Sequence, residues 1–253
     1  MEKIRMESVR EEYLLCRQIE GLATGTLQIY SKVTLLFAEY LQGEEITPTR
    51  IRGFIAWLGV ERNTTTVNIY TRALRTYVRW LAREGYLQED PMKDIRTPKV
   101  PKKFPNVLSE EEVAALLRVA KARPRDYAIT LFMLDCGVRA SELCDLHIED
   151  VFLLTKSARV FGKGSKERIV FFSPVTAKAL ARWLSVRPHK PYEDSLFLGV
   201  RGEPLTRHGL GHIVTRLAKK AGIQRRIGPH AMRHTFATLY VKNGGDAHSL
   251  MRL

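Results

Sequence analysis

Gly-Pro-His-Ala-Met-Arg-His-Thr-Phe-Ala-Thr, residues 228–238, is the segment around which the rest of the chain can be arranged. Gly228 marks a break, and Pro229 suits the first turn of a helix, where a missing N–H costs nothing. The helix predicted over 230–242 puts His230 and Arg233, three residues apart, on one face. A cation in a first helical turn opposes the helix dipole, although the same end offers free amides to a phosphate. Arg233 makes sense there if it faces an anion, to which a guanidinium presents a bidentate fork. Paired with a local carboxylate, it would be an ordinary structural arginine. His230 can donate to a phosphate oxygen or move a proton near neutral pH, or it can simply cap or pack.

Two upstream stretches have the same character. In Gly-Val-Arg-Ala-Ser-Glu-Leu (137–143), Gly137 ends one element, Arg139 falls in the first turn of the next, and Glu142 lies one turn on, placed to orient it. Residues 158–163 and 167–172 alternate as the two strands of a hairpin with Gly164-Ser165 at its turn. That hairpin carries Lys163, Lys166 and Arg168. Read alone, they are surface cations; a tip this basic also suits a groove, where a lysine can protonate a leaving oxygen. Around these stretches Ser109-Glu110-Glu111-Glu112 forms a capping box, and helices are predicted over 126–136, 175–186 and 206–221. Residues 108–253 therefore read as a mostly helical domain with a small antiparallel sheet.

Residues 1–89 read as a separate helical domain. Leu27, Tyr30, Val33, Thr34, Phe37 and Leu41 recur at helical spacing up to Gly43. Thr47-Pro48 opens a helix with Ile51, Phe54, Ile55 and Leu58 on one face. A third carries Val67, Tyr70, Leu74, Tyr77, Val78 and Leu81 before Gly85. On this third helix Arg72, Arg75, Arg79 and Arg83 line one side with no acidic residue among them. Like charges at that spacing repel, and a polyanion lying along the row reverses the sign. Between the domains, residues 90–107 contain four prolines and five cations, Lys102 and Lys103 among them. This composition predicts an extended basic linker.

Charge follows the same division. The net charge is +14, yet residues 1–100 hold 15 Lys+Arg against 13 Asp+Glu, so nearly all the excess lies in the second part. Such a balance points to a polyanionic partner. No apolar run approaches the roughly 20 residues that span a bilayer, and the start lacks the apolar stretch of a signal peptide. Cys16, Cys136 and Cys144 form neither a disulfide framework nor a zinc-ligand spacing, which favours a reducing cytoplasm. The pairs His208/His212 and His230/His234 lie i, i+4, but neither has the glutamate of a His-Glu-x-x-His metal site.

Taken together, the 137–143, 162–168 and 229–238 stretches, in that order, resemble the arginine box, the lysine hairpin and the His-x-x-Arg box of the tyrosine recombinase (phage integrase) family, in particular its Xer-like members. The resemblance implies a helical core-binding (SAM-like) domain at 1–89 and an α+β catalytic domain at 108–253, clamping duplex DNA between them. It implies that Arg139 and Arg233 hold the scissile phosphate, that Lys163 is the general acid, that His230 assists, and that Glu142 buttresses Arg139. Arg72, Arg75, Arg79, Lys102, Lys103, Lys166 and Arg168 become candidate DNA contacts. No metal or cofactor is implied, because arginines do the electrostatic work and a tyrosine makes a 3′-phosphotyrosyl link. A tetramer on paired sites is the implied assembly.

The chain departs from the family pattern at its end. The box that follows His-x-x-Arg and the nucleophilic tyrosine are not found, and Tyr240 comes too early to match. A truncated recombinase, weakened in self-association by loss of its last helix, is the expectation. A natural non-catalytic DNA-binding regulator stays open beside it, and a metal nuclease built on His230 and His234 is a more distant third.

Overall fold

The computed structural model describes residues 3–101, 104–162, 167–189 and 194–246. The chain forms two compact units, Met1–Lys103 and Phe104–Leu253.

The first unit consists of helices α1 (Lys3–Ile19), α2 (Thr24–Leu41), α3 (Pro48–Glu61) and α4 (Thr64–Arg83). Their ends follow from sequence. Gln42 and Gly43 turn the chain out of α2 with positive φ. Thr47 and Asn63 accept from the amides of Arg50 and Thr66, capping α3 and α4. The predicted apolar faces meet in one core, where Phe37, Ile51, Phe54, Leu58, Leu74, Val78 and Leu81 are fully buried. Tyr13 of α1 closes that core against Tyr77 and Trp80.

The 90–107 segment, expected as an extended basic linker, is tethered at both ends. Met92 and Ile95 are buried in the first unit's core, Asp90 accepts from the Met92 amide, and the Asn68 side chain donates to the Pro98 carbonyl. At its far end Arg225 donates to the Val107 carbonyl, Asn106 donates to the Arg226 carbonyl, and the Leu108 amide donates to the buried Thr235 hydroxyl. Two buried apolar side chains outweigh the proline preference for solvated extended chain. Lys102 and Lys103 lie outside the described residues.

The second unit runs α5 (Glu110–Ala120), α6 (Pro124–Cys136), α7 (Ala140–Cys144), a 3-10 turn (Ile148–Asp150), β1 (Val151–Phe152), β2 (Ser157–Phe161), β3 (Glu167–Phe171), α8 (Pro174–Val186), α9 (Arg207–Lys220) and α10 (Pro229–Lys242). The Ser109/Glu112 capping box is present as predicted. The sheet is antiparallel in the order β1-β2-β3, with Val160 opposite Arg168 and Phe161 opposite Glu167. Alternation turns Ala158, Val160 and Val170 into the core and leaves Phe161, Ile169 and Phe171 outside. The predicted hairpin is therefore formed; its turn at Gly164-Ser165 lies outside the described residues. α6 is buried on most of its circumference and packs against α8 and α10. α6 is thus the axis on which the candidate site is hung.

Candidate active site

The site begins where α6 stops. Gly137 takes a left-handed φ of 58° and its amide closes the helix on the Met133 carbonyl at 3.1 Å. A Cβ at this position would overlap the ring of Phe236 on α10. Gly137 thus lets the chain turn and lets α10 come close. Arg233 uses that closeness, since its Nη1 donates to the Gly137 carbonyl. Arg233 is the fifth residue of α10, not in its first turn as the sequence suggested. His230, three residues before it, is exposed.

Arg139 is the N-cap of the five-residue α7 and not a first-turn residue. Its amide donates to Glu142 Oε2 at 2.8 Å, so the free amide expected there for a phosphate is already used. Its Nη1 donates to Glu142 Oε1 at 2.7 Å. Glu142 therefore offsets the unfavourable cation at a helix start and holds the guanidinium.

Arg168 is placed otherwise than as a DNA contact. Its Nη1 and Nη2 donate to the two oxygens of Glu142, each at 2.8 Å. The Glu142 and Arg168 side chains are 1% and 17% exposed, whereas Arg139 is 49% exposed. Three guanidinium groups and one carboxylate make a cluster with an excess of two positive charges. Burial pushes the Glu142 carboxyl upward, but the hydrogen bonds from Arg168 and Arg139 outweigh it and hold the group at about 2. Burial, followed by the charge of Arg139, lowers Arg233 from the ordinary arginine value, and Arg168 adds to that pressure. Arginine remains charged regardless, so the pocket holds an uncompensated positive field that an anion would relieve. The signal for Arg168 was available in the sequence: it shares its strand parity with Val170, which faces the core.

The remaining candidates are scattered. Lys163 and Lys166 lie outside the described residues. Arg72 is exposed on α4, but its neighbours on the row are engaged. Arg75 donates to the Ile95 carbonyl and to Thr97, Arg79 faces Asp90 at 3.4 Å, and Arg83 pairs with Glu84. These partners come from beyond the helix, which is why a count of charges along α4 did not find them. Tyr240, two turns beyond Arg233, sets its ring tilted against Phe236, with the centroids 5.8 Å apart. Burial raises the thiols of Cys136 and Cys144, the latter to about 11, so neither is a ready thiolate. Among the described residues no group of three or more His, Cys, Asp and Glu could hold a metal ion, and no helix is long and apolar enough to cross a membrane.

Comparison with known proteins agrees with this architecture. The Phage integrase family profile matches residues 106–253. Tyrosine recombinase XerD of Oceanobacillus iheyensis is 33% identical over 258 residues, covering 95% of this chain and 87% of that protein. The crystal structure of XerA recombinase is 30% identical with a TM-score of 0.55, covering 94% of this chain and 86% of that one. A lambda integrase fragment, solved as a dimer bound to a COC' core site, shares the fold with a TM-score of 0.81 at 17% identity, covering 98% of this chain and 93% of that one. The chain therefore belongs to the phage integrase family, the tyrosine recombinases.

Proposed function

We propose that this chain binds duplex DNA through both of its units and supplies the phosphate-holding part of a site-specific recombination site. Arg139 and Arg233 take the scissile phosphate and stabilise the charge that develops on it, and Glu142 holds Arg139 in place. Lys163 protonates the 5′-oxygen leaving group, and His230 serves as a phosphate ligand or proton carrier. Arg72, Lys102, Lys103 and Lys166 contact the DNA backbone. The observation that carries this reading is the guanidinium cluster, half exposed at Arg139, with its two surplus positive charges. The relatives add support: lambda integrase has been solved as a tetramer bound to a Holliday junction, and a tetramer on paired sites is the assembly proposed for the active form here.

Covalent chemistry needs a nucleophile, and guanidinium groups cannot supply one. Tyr240, the one tyrosine after the His-x-x-Arg segment, lies on the same helix as Arg233, too close in sequence to match the family's nucleophile. We therefore expect these 253 residues to bind DNA without forming a phosphotyrosyl adduct. Binding to duplex carrying the recognition site should weaken by about 10³-fold between 50 and 200 mM salt if roughly six phosphates are contacted. On a nicked suicide substrate no covalent band should form. A flat salt response would remove the DNA-clamp reading, and an adduct mapped to Tyr240 would show that the chain carries its own nucleophile.

The arginine row gives a second test. Arg72→Gln should reduce the slope of log affinity against log salt by about one unit, as one lost phosphate contact does. Arg75→Gln should leave that slope nearly unchanged and instead release the 95–97 segment, read as faster amide exchange there. Equal slope changes for the two would mean that Arg75 leaves its internal partners when DNA binds.

A further inference from the structure

We propose that Arg168 is a positioning residue of this site, fixing the reach of Arg139 through Glu142 and tying strand β3 to the phosphate pocket. This rests on the reading of Arg139 and Arg233 as phosphate ligands.

The argument starts from the acceptor capacity of a carboxylate, which offers about four lone-pair directions. Glu142 has all four filled. Arg139 fills one on each oxygen, with its Nη1 and its backbone amide, and Arg168 fills one on each oxygen with its two terminal nitrogens. The last torsion of a glutamate is soft, so the plane of its carboxylate is set by its partners. Arg139 alone grips Glu142 from one end of one short helix. The parallel fork of Arg168 comes from another element and locks that plane. Arg139 is then held through its Nη1 while its side chain stays half exposed.

The element that carries Arg168 gives this a second consequence. Arg168 sits on β3 opposite Val160, and the next pair, Phe161 and Glu167, closes the described part of the hairpin. A shift of β3 must therefore stretch or re-aim the Arg168–Glu142 fork. Strand β3 and the phosphate-binding arginine are joined through one buried carboxylate. Lysine at position 168 would keep the charge but cannot form the fork.

The test uses the full chain with side-chain NMR and inorganic phosphate as the probe. Phosphate should shift the guanidinium signals of Arg139 and Arg233 in the native protein. In Arg168→Lys and Arg168→Met alike, the affinity read at Arg139 should fall about tenfold, as loss of an orienting partner does at other sites. The Glu142 carboxyl signal should then titrate at a higher pH than in the native chain, where Arg139, Arg168 and Arg233 all face it. Amide signals of residues 3–101 should not move. If Arg168→Met fails to fold, Arg168→Lys decides. Native phosphate affinity at Arg139 in Arg168→Lys would overturn the proposal, because charge and bulk would then suffice. No phosphate response at Arg139 or Arg233 in the native chain would sink the phosphate-pocket reading instead. The Arg168–Glu142 coupling would then stand or fall on the carboxyl titration alone.

Discussion

Gly137→Ala should unfold or loosen the second unit while leaving the first intact. Two costs fall on the same atom. An alanine held near φ 58° carries the left-handed penalty of about 1–2 kcal/mol. Its Cβ also enters the space of the Phe236 ring, and overpacking of a tight contact costs roughly 1–3 kcal/mol. Together about 3 kcal/mol is a large share of the stability of an ordinary domain. Relief by pushing α10 away would break the Arg233 bond to the Gly137 carbonyl. Urea unfolding followed separately through amide signals of residues 3–101 and 104–246 resolves the two units. Adding Phe236→Leu should recover the overlap part and not the φ part. A midpoint for the second unit unchanged by Gly137→Ala would mean that α10 does not approach Gly137 as described.

Glu142→Gln should be at least as damaging although it changes almost no volume. The carboxylate is buried and holds two guanidinium groups, so its removal leaves the largely buried Arg168 uncompensated, and breaking such a buried pair typically costs about 3–5 kcal/mol. The amide group of glutamine would also present N–H donors to N–H donors. The pH dependence follows from the direction of the carboxyl shift. A folded value of about 2 lies below the unfolded glutamate value of about 4.3, so the stabilisation is fully present above that upper value. It is lost as pH falls through the window between them, and is worth roughly 3 kcal/mol when whole. Acid titration of the native chain should show this loss in the second unit, and Glu142→Gln should lack it. A native stability that stays level between pH 4.5 and 2.5 would contradict the network.

The same residues mark where sequence reading succeeds. Ile51, Phe54 and Leu58 declare their helix because a 3.6-residue period places them on one face that must find a core. Ser109 and Glu112 declare the start of α5 because both halves of a capping box lie within one turn. The hairpin was legible from strand alternation, and Glu142 from its three-residue distance to Arg139. Each of these is an interaction between residues close in the chain, whose geometry the backbone dictates.

What sequence by itself determined, then, is the element order, the two-part division of charge, and the identity of the stretches that carry Arg139, Lys163, His230 and Arg233. Tertiary structure alone decided which partners the described residues meet. Arg168 turned from a groove-facing cation into the second grip on Glu142, 26 residues away. Met92 and Ile95 joined a core instead of a linker, and the α4 arginines found Asp90 and the Ile95 carbonyl. Gly137 announced a helix end in the sequence, but only packing revealed that Phe236, on α10, requires its missing side chain. The physical reason is common to all four. Local rules act over one or two turns, whereas a buried charge or a close contact is satisfied by whatever folding brings beside it, and that depends on the whole core.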